Sequence, residues 1–291
     1  MIEIKNVTKK FNDFTAVNDL SLTIKTGEFF GLLGPNGAGK TTTIGMLSTI
    51  LLPSNGEILI DGKPLTRKAS DEKARISLVT QEYSMRQDMT VWEVMEYHGR
   101  LYKMPRALRK EKATELLKYY DLFDVKHRTV RYLSGGMKRK LMICRALMTD
   151  PDILMLDEPT AGMDAFSRRQ MWSLLKKLNR DDLTILLTTH YMEEAEELCE
   201  RVALINKGTL DRVDSPGALI EELGGFCVTY VDRESESESF GQHSYEKEYS
   251  RYFKTREEAI EFLSGKGKEA ILRNTTLEDV FIERVGAKLG K

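Results

Sequence analysis

Alternating apolar and polar positions open the chain and predict its first strands. Ile2 and Ile4 alternate with charged side chains, and Leu20, Leu22 and Ile24 alternate with Ser and Thr. A period of two puts successive side chains on opposite faces of a strand, so that one face can be buried and the other solvated. The pattern therefore predicts half-buried antiparallel strands near the N-terminus.

A second pattern predicts a different sheet. Short runs are apolar at nearly every position, as in strands buried on both faces of a parallel sheet. These runs lie at residues 29–33, 153–156, 184–187 and 202–205. Helical spacing of apolar residues follows the first run and separates the second from the third. The alternation of strands and helices predicts an α/β fold.

The remaining patterns divide the chain. Residues 90–148 carry mostly helical spacing, and we place a helical subdomain at about 85–148, within a main domain of residues 1–215. A small α+β accessory domain is expected at 216–291, with a strand at 226–231. The acidic, serine-rich residues 234–239 have nothing to bury and are predicted to form a mobile loop.

Composition removes several functional classes. The 291 residues have a net charge of −1, so no global basic field is available to attract nucleic acid. The three cysteines are scattered without metal-ligand spacing, which favours a reduced, cytosolic setting. No apolar run approaches the roughly 20 residues that span a bilayer, and no signal peptide is expected. If the protein serves a membrane, another chain supplies the spans.

The most specific motif is a phosphate-binding loop. Residues Gly34–Thr41 have the spacing G-x-x-x-x-G-K-[ST] and follow the apolar run 29–33. A loop between a strand and a helix directs backbone N–H groups at phosphates, Lys40 adds a cation for the β- and γ-phosphates, and the Thr41 hydroxyl suits Mg²⁺. The nucleotide-binding residues predicted here are Gly34, Asn36, Gly37, Ala38, Gly39, Lys40, Thr41 and Thr42.

Two carboxylates end the apolar run 153–156. Asp157 is predicted to hold Mg²⁺, directly or through water, and Glu158 to polarise the attacking water, as a general base or by positioning it. The alternative is a pair of turn carboxylates that cap the next helix. The phosphate loop makes that alternative weak, because bound nucleotide requires such partners.

A further anion site is predicted where Leu133-Ser-Gly-Gly136 precedes a helix. Ser134 and the amides of Gly135 and Gly136 present donors at a helix N-terminus. Taken alone this is an ordinary N-cap with flexible glycines. Its place just before the 153–158 segment favours the anion site.

Together these segments resemble the nucleotide-binding subunit of ATP-binding cassette (ABC) transporters. Gly34–Thr41 resembles the Walker A loop, Leu133–Gly136 the family signature, and Ile153–Glu158 the Walker B strand. Further matches are the Q-loop glutamine Gln81, the D-loop aspartate Asp164 and the switch histidine His190. Phe11 matches the aromatic residue that stacks on adenine, and Phe14 is the alternative for that role. Together the matches cover residues 1–215. The resemblance implies a P-loop NTPase (RecA-like) cassette with an antiparallel β subdomain and a helical subdomain.

The resemblance also implies a mechanism. Two cassettes pair head to tail, and each ATP with its Mg²⁺ lies between the Walker A loop of one and the signature of the other. Ser134 and Gly136 then act in trans on the γ-phosphate. His190 stabilises transition-state charge, and Gln81 binds Mg²⁺ or the attacking water. The catalytic residues it assigns are Glu158, His190, Lys40 and Gln81, with Thr41, Gln81 and Asp157 at the metal.

The partner expected from this resemblance is a separate permease. Leu-Ser-Gly-Gly-Met-Lys-Arg at 133–139 and Thr-Leu-Glu-Asp-Val-Phe at 276–281 resemble the drug-resistance and sodium-extrusion branch, whose permeases are of ABC-2 type. The chain is then expected at the cytoplasmic face of the membrane, paired with a second cassette of the same or a different kind. In part, the aromatic residues within 83–104 are expected to line the groove for the permease.

Two other functions fit the sequence less well. A soluble ABC ATPase acting on ribosomes or DNA usually carries two cassettes, a coiled coil or a basic arm, and the chain has one phosphate loop and a net charge of −1. A P-loop kinase or GTPase is disfavoured by the signature together with Gln81 and His190. Guanine recognition would need a motif such as Asn-Lys-x-Asp, and Asn206-Lys-Gly-Thr209 lacks the aspartate.

Overall fold

The computed structural model describes residues 1–178, 182–231, 248–265 and 270–286. In it the chain divides into two units, Met1–Val213 and Asp214–Lys291. The serine-rich residues 234–239, predicted to form a mobile loop, lie outside the described residues.

The described residues of the first unit form two sheets and seven α-helices. Its strands are, in chain order, β1 (Ile2–Phe11), β2 (Phe14–Ile24), β3 (Phe29–Leu33), β4 (Asn55–Ile60), β5 (Lys63–Pro64), β6 (Ile76–Val79), β7 (Ile153–Asp157), β8 (Thr184–Thr189), β9 (Arg201–Asn206) and β10 (Thr209–Asp214). Its helices are α1 (Lys40–Leu47), α2 (Ser70–Ala74), α3 (Val91–Leu101), α4 (Arg106–Tyr119), α5 (Gly135–Leu147), α6 (Ala165–Leu178) and α7 (Met192–Leu198), with a 3₁₀ turn at Val130–Tyr132.

The N-terminal strands form the antiparallel sheet that their alternation predicts. Its four strands follow the order β2-β1-β4-β5. Ile2 pairs with Ile24 and Ile4 with Leu22, so the apolar positions of neighbouring strands share one face. These side chains are buried in the same core cluster as the phosphate-loop helix α1 and part of the parallel sheet. The antiparallel sheet therefore packs onto the part of the fold that carries the phosphate loop.

The apolar runs form a six-stranded sheet in the order β10-β9-β3-β8-β7-β6. Pairing is parallel between β3 and β8, β3 and β9, β7 and β8, and β6 and β7. Every residue of β3, β7 and β8 is buried, as expected of strands covered on both faces. Parallel strands end at the same edge, so the segments that follow β3, β7 and β8 meet there.

Helices α3, α4 and α5 carry the helical patterns predicted for residues 90–148. Thr90 and Glu93 form a capping box at the start of α3. One face of each helix is fully buried, through Met95 of α3, Leu117 of α4 and Leu141 of α5. Helix α5 begins at the signature glycines, and this packing against α3 and α4 holds it in place.

The second unit is a small α+β structure. It contains α8 (Pro216–Leu223), β11 (Phe226–Val231), β12 (Glu248–Phe253), α9 (Arg256–Ser264), β13 (Ile271–Asn274) and α10 (Leu277–Phe281), followed by a π-helical turn at Ile282–Gly286. The strands pair in the antiparallel order β12-β11-β13. Asp279 caps α10 and accepts two hydrogen bonds from Arg273, at 2.6 and 2.7 Å.

One property concerns membranes. Within the described ranges, no helix combines the length and the apolar character that crossing a bilayer requires.

Candidate nucleotide-binding and catalytic site

The phosphate loop connects the end of β3 to the start of α1, and two of its glycines are required by close backbone contacts. Gly39 has φ 104°, and a Cβ there would lie 2.6 Å from the carbonyl oxygen of Ala16. A Cβ on Gly34 would lie 2.4 Å from the carbonyl oxygen of Ile205. Real Cβ atoms do not approach so closely, so only glycine lets the loop fold back over the strand ends.

Lys40 begins α1 and points into the curve of the loop. Its side chain is 5% exposed, and Nζ donates hydrogen bonds to the carbonyl oxygens of Gly34 (2.8 Å) and Pro35 (3.2 Å). Burial lowers the pKa of Lys40, while the charges of Glu158 and Asp157 oppose that shift. The loop's own carbonyl groups thus hold a cation in place before any phosphate arrives.

Asp157 is the last residue of β7 and is buried beside β8. Its Oδ1 accepts a hydrogen bond of 2.5 Å from the Thr188 hydroxyl, because Asp157 and Thr188 are paired in the parallel register. Burial raises the pKa of Asp157, and the neighbouring negative charge of Glu158 raises it further. A carboxylate that is costly to ionise in this environment is stabilised by a bound cation.

Glu158 follows with an unusual backbone. Its φ is +47°, a left-handed conformation that costs a residue other than glycine roughly 1–3 kcal/mol. Its N–H donates to the Thr188 carbonyl oxygen at 3.0 Å, which fixes this turn against β8. The strained turn directs the Glu158 side chain along the edge of the sheet.

The Glu158 carboxylate lies between two nitrogen groups, the Lys40 ammonium and the His190 imidazole. Its Oε1 is 4.0 Å from Lys40 Nζ, and its Oε2 is 3.2 Å from His190 Nδ1. His190 directly follows β8 and is partly exposed, whereas Glu158 is mostly buried. Glu158 and His190 directly follow β7 and β8, and Lys40 begins α1 after the loop that follows β3, so this sheet edge brings the three side chains together.

A cavity of about 520 Å³ opens at this edge. It is lined by Phe14, Ala16, Asn36, Gly37, Ala38, Gly39, Lys40, Thr41, Thr42, Gln81, Glu158, Ala161, Gly162, His190 and Tyr191. Most predicted loop residues therefore face one cavity, together with Gln81, Glu158 and His190. Gly34 and Asp157 lie buried next to it, Gly34 against the backbone of Ile205 and Asp157 against Thr188.

Sequence reasoning did not select several residues of this lining. Ala161 and Gly162 belong to the matched segment Ala161-Gly-Met-Asp164, of which only the aspartate was chosen. Tyr191 lies next to His190, with ring centroids 4.1 Å apart. All three residues could have been predicted from their positions in the sequence, because Ala161 and Gly162 share a segment with Asp164 and Tyr191 follows His190.

The two candidate adenine-stacking residues flank one turn. Phe11 and Phe14 pair directly across the β1–β2 hairpin. Phe14 is 63% exposed and lines the cavity, whereas Phe11 is 43% exposed, is not part of the lining, and has Lys9 Nζ 5.1 Å from its ring centroid. The geometry thus places Phe14 nearer to the loop and leaves the predicted Phe11 beside it.

The signature residues lie elsewhere. Ser134 caps α5 by accepting a hydrogen bond from the Met137 N–H at 3.3 Å, and Ser134 and Gly135 are exposed. Neither they nor Gly136 line the cavity. A single chain therefore does not bring its own signature to its own phosphate loop.

Asp164 is also outside the cavity lining, at the start of α6. It accepts hydrogen bonds from the Ser167 N–H at 2.9 Å and the Ser167 hydroxyl at 2.7 Å, and these bonds lower the pKa of its carboxyl group. The structure gives this exposed carboxylate the part of a helix cap, although it was predicted to contact nucleotide.

The oxygen donors at the loop suit Mg²⁺. Thr41 offers a hydroxyl and Asp157 a carboxylate, and Gln81 lines the same cavity. Among the described residues, no three His, Cys, Asp or Glu side chains are grouped to hold a metal. Mg²⁺ is usually held by one or two carboxylates plus substrate phosphates and water, and the Asp157 carboxylate together with the Thr41 hydroxyl is a donor set of that kind.

Known proteins are similar to this chain in sequence. The sequence profile of the ABC transporter family matches residues 17–161. A Nod factor export ATP-binding protein I from Cupriavidus metallidurans is 37% identical over 298 residues, which cover 99% of this chain and 98% of the relative. The linearmycin resistance ATP-binding protein LnrL of Bacillus subtilis is 35% identical over 240 residues, 82% of this chain and 77% of the relative.

A solved structure agrees with these relatives. The ATP-binding cassette MJ0796, in a dimeric post-hydrolysis state bound to ADP and Pi, is 30% identical with a TM-score of 0.66 and covers 74% of this chain and 98% of its own. The expected cassette fold is thereby confirmed. The chain belongs to the ABC transporter family, and it is one of that family's ATP-binding, ATP-hydrolysing subunits.

Proposed function

We propose that the protein powers export through a separate membrane permease of ABC-2 type, from the cytoplasmic face of the membrane. Its nearly full-length similarity to an export ATP-binding protein carries this proposal. A second relative is named for resistance to linearmycin, which also suits an exporter. The alternative, a soluble ABC ATPase acting on ribosomes or DNA, finds no support in these relatives.

ATP is proposed to bind in the cavity at the phosphate loop. The loop amides and Lys40 hold the β- and γ-phosphates, and the N-terminus of α1 adds its positive end. Mg²⁺ is proposed to bind the Thr41 hydroxyl, with Asp157 and Gln81 directly or through water. The buried, raised-pKa carboxylate of Asp157 supports this assignment, because a cation there offsets its cost of ionisation.

Hydrolysis is proposed to depend on Glu158 and His190. Glu158 accepts a proton from the attacking water, or orients that water, as the oxygen forms its bond to the γ-phosphorus and the β–γ bridging oxygen leaves with ADP. His190 and Lys40 stabilise charge on the transferred phosphoryl group. The position of the carboxylate between these two donors supports the assignment.

A second cassette is proposed to complete each site. Ser134 and Gly136 stand outside the cavity of their own chain, and the exposed N-terminus of α5 leaves them available to another chain. The proposed trans contact joins Ser134 and the amides of the first turn of α5 to the γ-phosphate bound by the partner. Asp164 is proposed to act at the same interface.

The permease is proposed to dock at a cleft between α3 and the β6 edge of the parallel sheet. The cleft has a volume of about 330 Å³ and is lined by Ser48, Ile50, Lys73, Ile76, Ser77, Leu78, His98, Tyr102, Arg145 and Ala146. Burial and the Arg145 charge lower the pKa of His98 to about 4, so this imidazole is neutral at physiological pH. Tyr97, Leu101 and Tyr102 are exposed on α3 and offer apolar surface to a helix of the partner.

The Glu158→Gln variant is expected to bind ATP and to hydrolyse it roughly 100- to 10,000-fold more slowly, because the side chain keeps its size and loses its basicity. It should accumulate as an ATP-bound dimer in size-exclusion chromatography. Unchanged turnover would contradict the assigned role, and a strictly monomeric variant at saturating ATP would contradict the paired mechanism.

The same variant tests the transporter assignment. Extracted from its native cells in mild detergent with ATP, Glu158→Gln is expected to retain a polytopic ABC-2 type permease. Lys40→Ala, which lacks the phosphate-binding cation, is the matched control and should retain less of it. Recovery of ribosomes or DNA-associated proteins with no membrane partner would replace the exporter by the soluble alternative.

Asp157→Asn is expected to raise the thermal unfolding midpoint of the nucleotide-free protein at neutral pH. The pKa of Asp157 is raised in the folded state, so its ionised form costs stability above that pKa, and the advantage of Asn should vanish as pH falls below it. Each ~1 kcal/mol of relief appears as roughly 2–4 °C in a domain of this size. The additional stabilisation by ATP with Mg²⁺ over ATP with EDTA should disappear in the variant. A lower midpoint without nucleotide would contradict this account of the buried charge.

Replacing the aromatic residue that stacks on adenine should weaken ATP binding by roughly 5- to 150-fold, the range that loss of ~1–3 kcal/mol of stacking gives. The predicted residue is Phe11, and Phe11→Ala is compared with Phe14→Ala by calorimetric titration of ATP into the monomer. A larger loss in Phe14→Ala would transfer the role to the residue that lines the cavity.

Ser134→Arg is expected to abolish turnover and to leave ATP binding by the monomer unchanged, because the signature acts on the partner's nucleotide. Mixing Ser134→Arg with the equally inactive Lys40→Ala should restore part of the activity. A mixed pair has one site built from the intact loop of one chain and the intact signature of the other. If mixing restores nothing, the trans arrangement is contradicted.

A further inference from the structure

A buried guanidinium group joins the signature helix to the segment that carries Gln81. Arg139 lies on the second turn of α5 and is 2% exposed. Its Nη1 donates to the carbonyl oxygen of Thr80 at 2.7 Å, and its Nη2 donates to that of Gln81 at 2.9 Å. These two carbonyl groups flank the backbone nitrogen of Gln81, so the guanidinium fork fixes the backbone on both sides of that residue.

This cation has no carboxylate partner within ion-pair distance among the described residues. Burial lowers the pKa of Arg139, and its Nε is buried without a hydrogen-bond partner. A buried charge without a carboxylate at ion-pair distance is costly, and an apolar side chain of similar volume usually packs at no such cost. The group is therefore better explained by what it positions than by the stability it adds.

Tyr83 makes a second connection between the same two elements. Its hydroxyl donates to the carbonyl oxygen of Gly135 at 3.3 Å, and its ring centroid lies 5.6 Å from Arg139 Cζ. Gly135 is the first residue of α5 and belongs to the signature. The Gln81 segment thus contacts the signature helix at its first residue through Tyr83 and at its second turn through Arg139.

A cavity of about 500 Å³ lies beside this connection and is lined by Gln81, Glu82, Tyr83, Arg139, Ala161 and Gly162. Three of these residues, Gln81, Ala161 and Gly162, also line the nucleotide cavity. The Gln81 segment therefore has open space on one side, the nucleotide cavity on the other, and its backbone attached to α5.

We propose that Arg139 is a positioning residue that couples the two nucleotide sites of the paired cassettes. Through it, the position of Gln81 in one site sets the position of Ser134–Gly136, which complete the other. The coupling rests on the proposed pairing, because only there do the two ends of the connection serve different nucleotides. A helix transmits such a displacement because it moves as a rigid body.

The proposal predicts a specific loss in Arg139→Gln. Removing the two charge-assisted hydrogen bonds should lower kcat by roughly 10- to 100-fold. The Hill coefficient for ATP, which lies between one and two for two coupled sites, should fall to one. The affinity of the monomer for ATP should stay within about 2-fold of wild type, since Arg139 does not line the nucleotide cavity. A merely structural role would lower the amount of active protein without changing the Hill coefficient.

Arg109→Gln is the matched control. Arg109 is also a mostly buried arginine of the helical subdomain and donates to a backbone carbonyl, that of Met104, at 2.6 Å. It makes no contact with Gln81 or with the signature, so its replacement should alter the thermal midpoint without altering cooperativity. If Arg109→Gln lowers the Hill coefficient as much as Arg139→Gln does, or if Arg139→Gln keeps the wild-type value, the coupling role is overturned.

Tyr83→Phe tests the same connection if the Arg139→Gln variant does not fold. It removes one hydroxyl at a half-exposed position, keeps the ring, and breaks the hydrogen bond to Gly135. It should lower the Hill coefficient with little change in thermal midpoint, and an unchanged coefficient would contradict the proposal. A wild-type protein that hydrolyses ATP with a Hill coefficient of one overturns the coupling and leaves the ATPase in place. Wild-type protein without ATPase activity overturns the proposed function itself.

Discussion

Parallel pairing of β3, β8 and β7 is the constraint on which the site depends. The register pairs Leu33 with Thr189 and Asp157 with Thr188, so all three strands end at one edge within a residue of each other. The phosphate loop, the two carboxylates and His190 each begin where one of these strands stops. A slip of one residue would turn each side chain to the opposite face, and complete burial of the strands makes such a slip very costly.

The same sheet edge also holds charged side chains that are poorly solvated. Burial lowers the pKa of Lys40 and raises that of Asp157, so each group is less stable in its charged form than it would be in water. Glu158 adds a strained backbone at φ +47°. Lys40 and Asp157 offset this cost for each other only in part, and phosphates at Lys40 and a metal ion at Asp157 would relieve the remainder. The free protein therefore stores, in desolvation and strain, part of the electrostatic complementarity that preorganised catalysis requires.

The sequence predicted most of this site because the relevant information is local. The loop Gly34–Thr41 needs glycine where a Cβ would strike the backbone, and strand-end carboxylates are readable from the apolar run before them. Phe11 and Phe14 show the limit. They flank the same two-residue turn, and only the placement of the turn against the loop distinguishes them. Asp164 shows a second limit of sequence-based prediction. A matched motif does not reveal that the Asp164 carboxylate already accepts hydrogen bonds from Ser167.

Arg139 was not predictable for a different reason. Its partners are the backbone carbonyl groups of Thr80 and Gln81, which every sequence possesses, and in sequence it is one basic residue among Lys138, Arg139 and Lys140. The helical period alone places it on the buried side of α5, where a charge is unexpected. Tertiary contacts between segments far apart in the chain leave no local pattern when one side of the contact is backbone.

Two features of the signature are related: Ser134 lies outside the cavity of its own chain, and the helix that follows Ser134 is connected to the Gln81 segment. A signature that reached its own phosphate loop could complete the site without a partner, and hydrolysis would then proceed without any change in the assembly. Ser134 is exposed and does not line the nucleotide cavity of its own chain, so in the proposed pairing the site is completed by association with a second cassette. In the proposed pairing Arg139 connects the two sites, since the segment proposed to contact one nucleotide is hydrogen-bonded to the helix proposed to contact the other. Under this proposal, hydrolysis at the two sites is coupled to the position of the signature helix, and such a coupling is the condition for converting hydrolysis into work on a separate membrane protein.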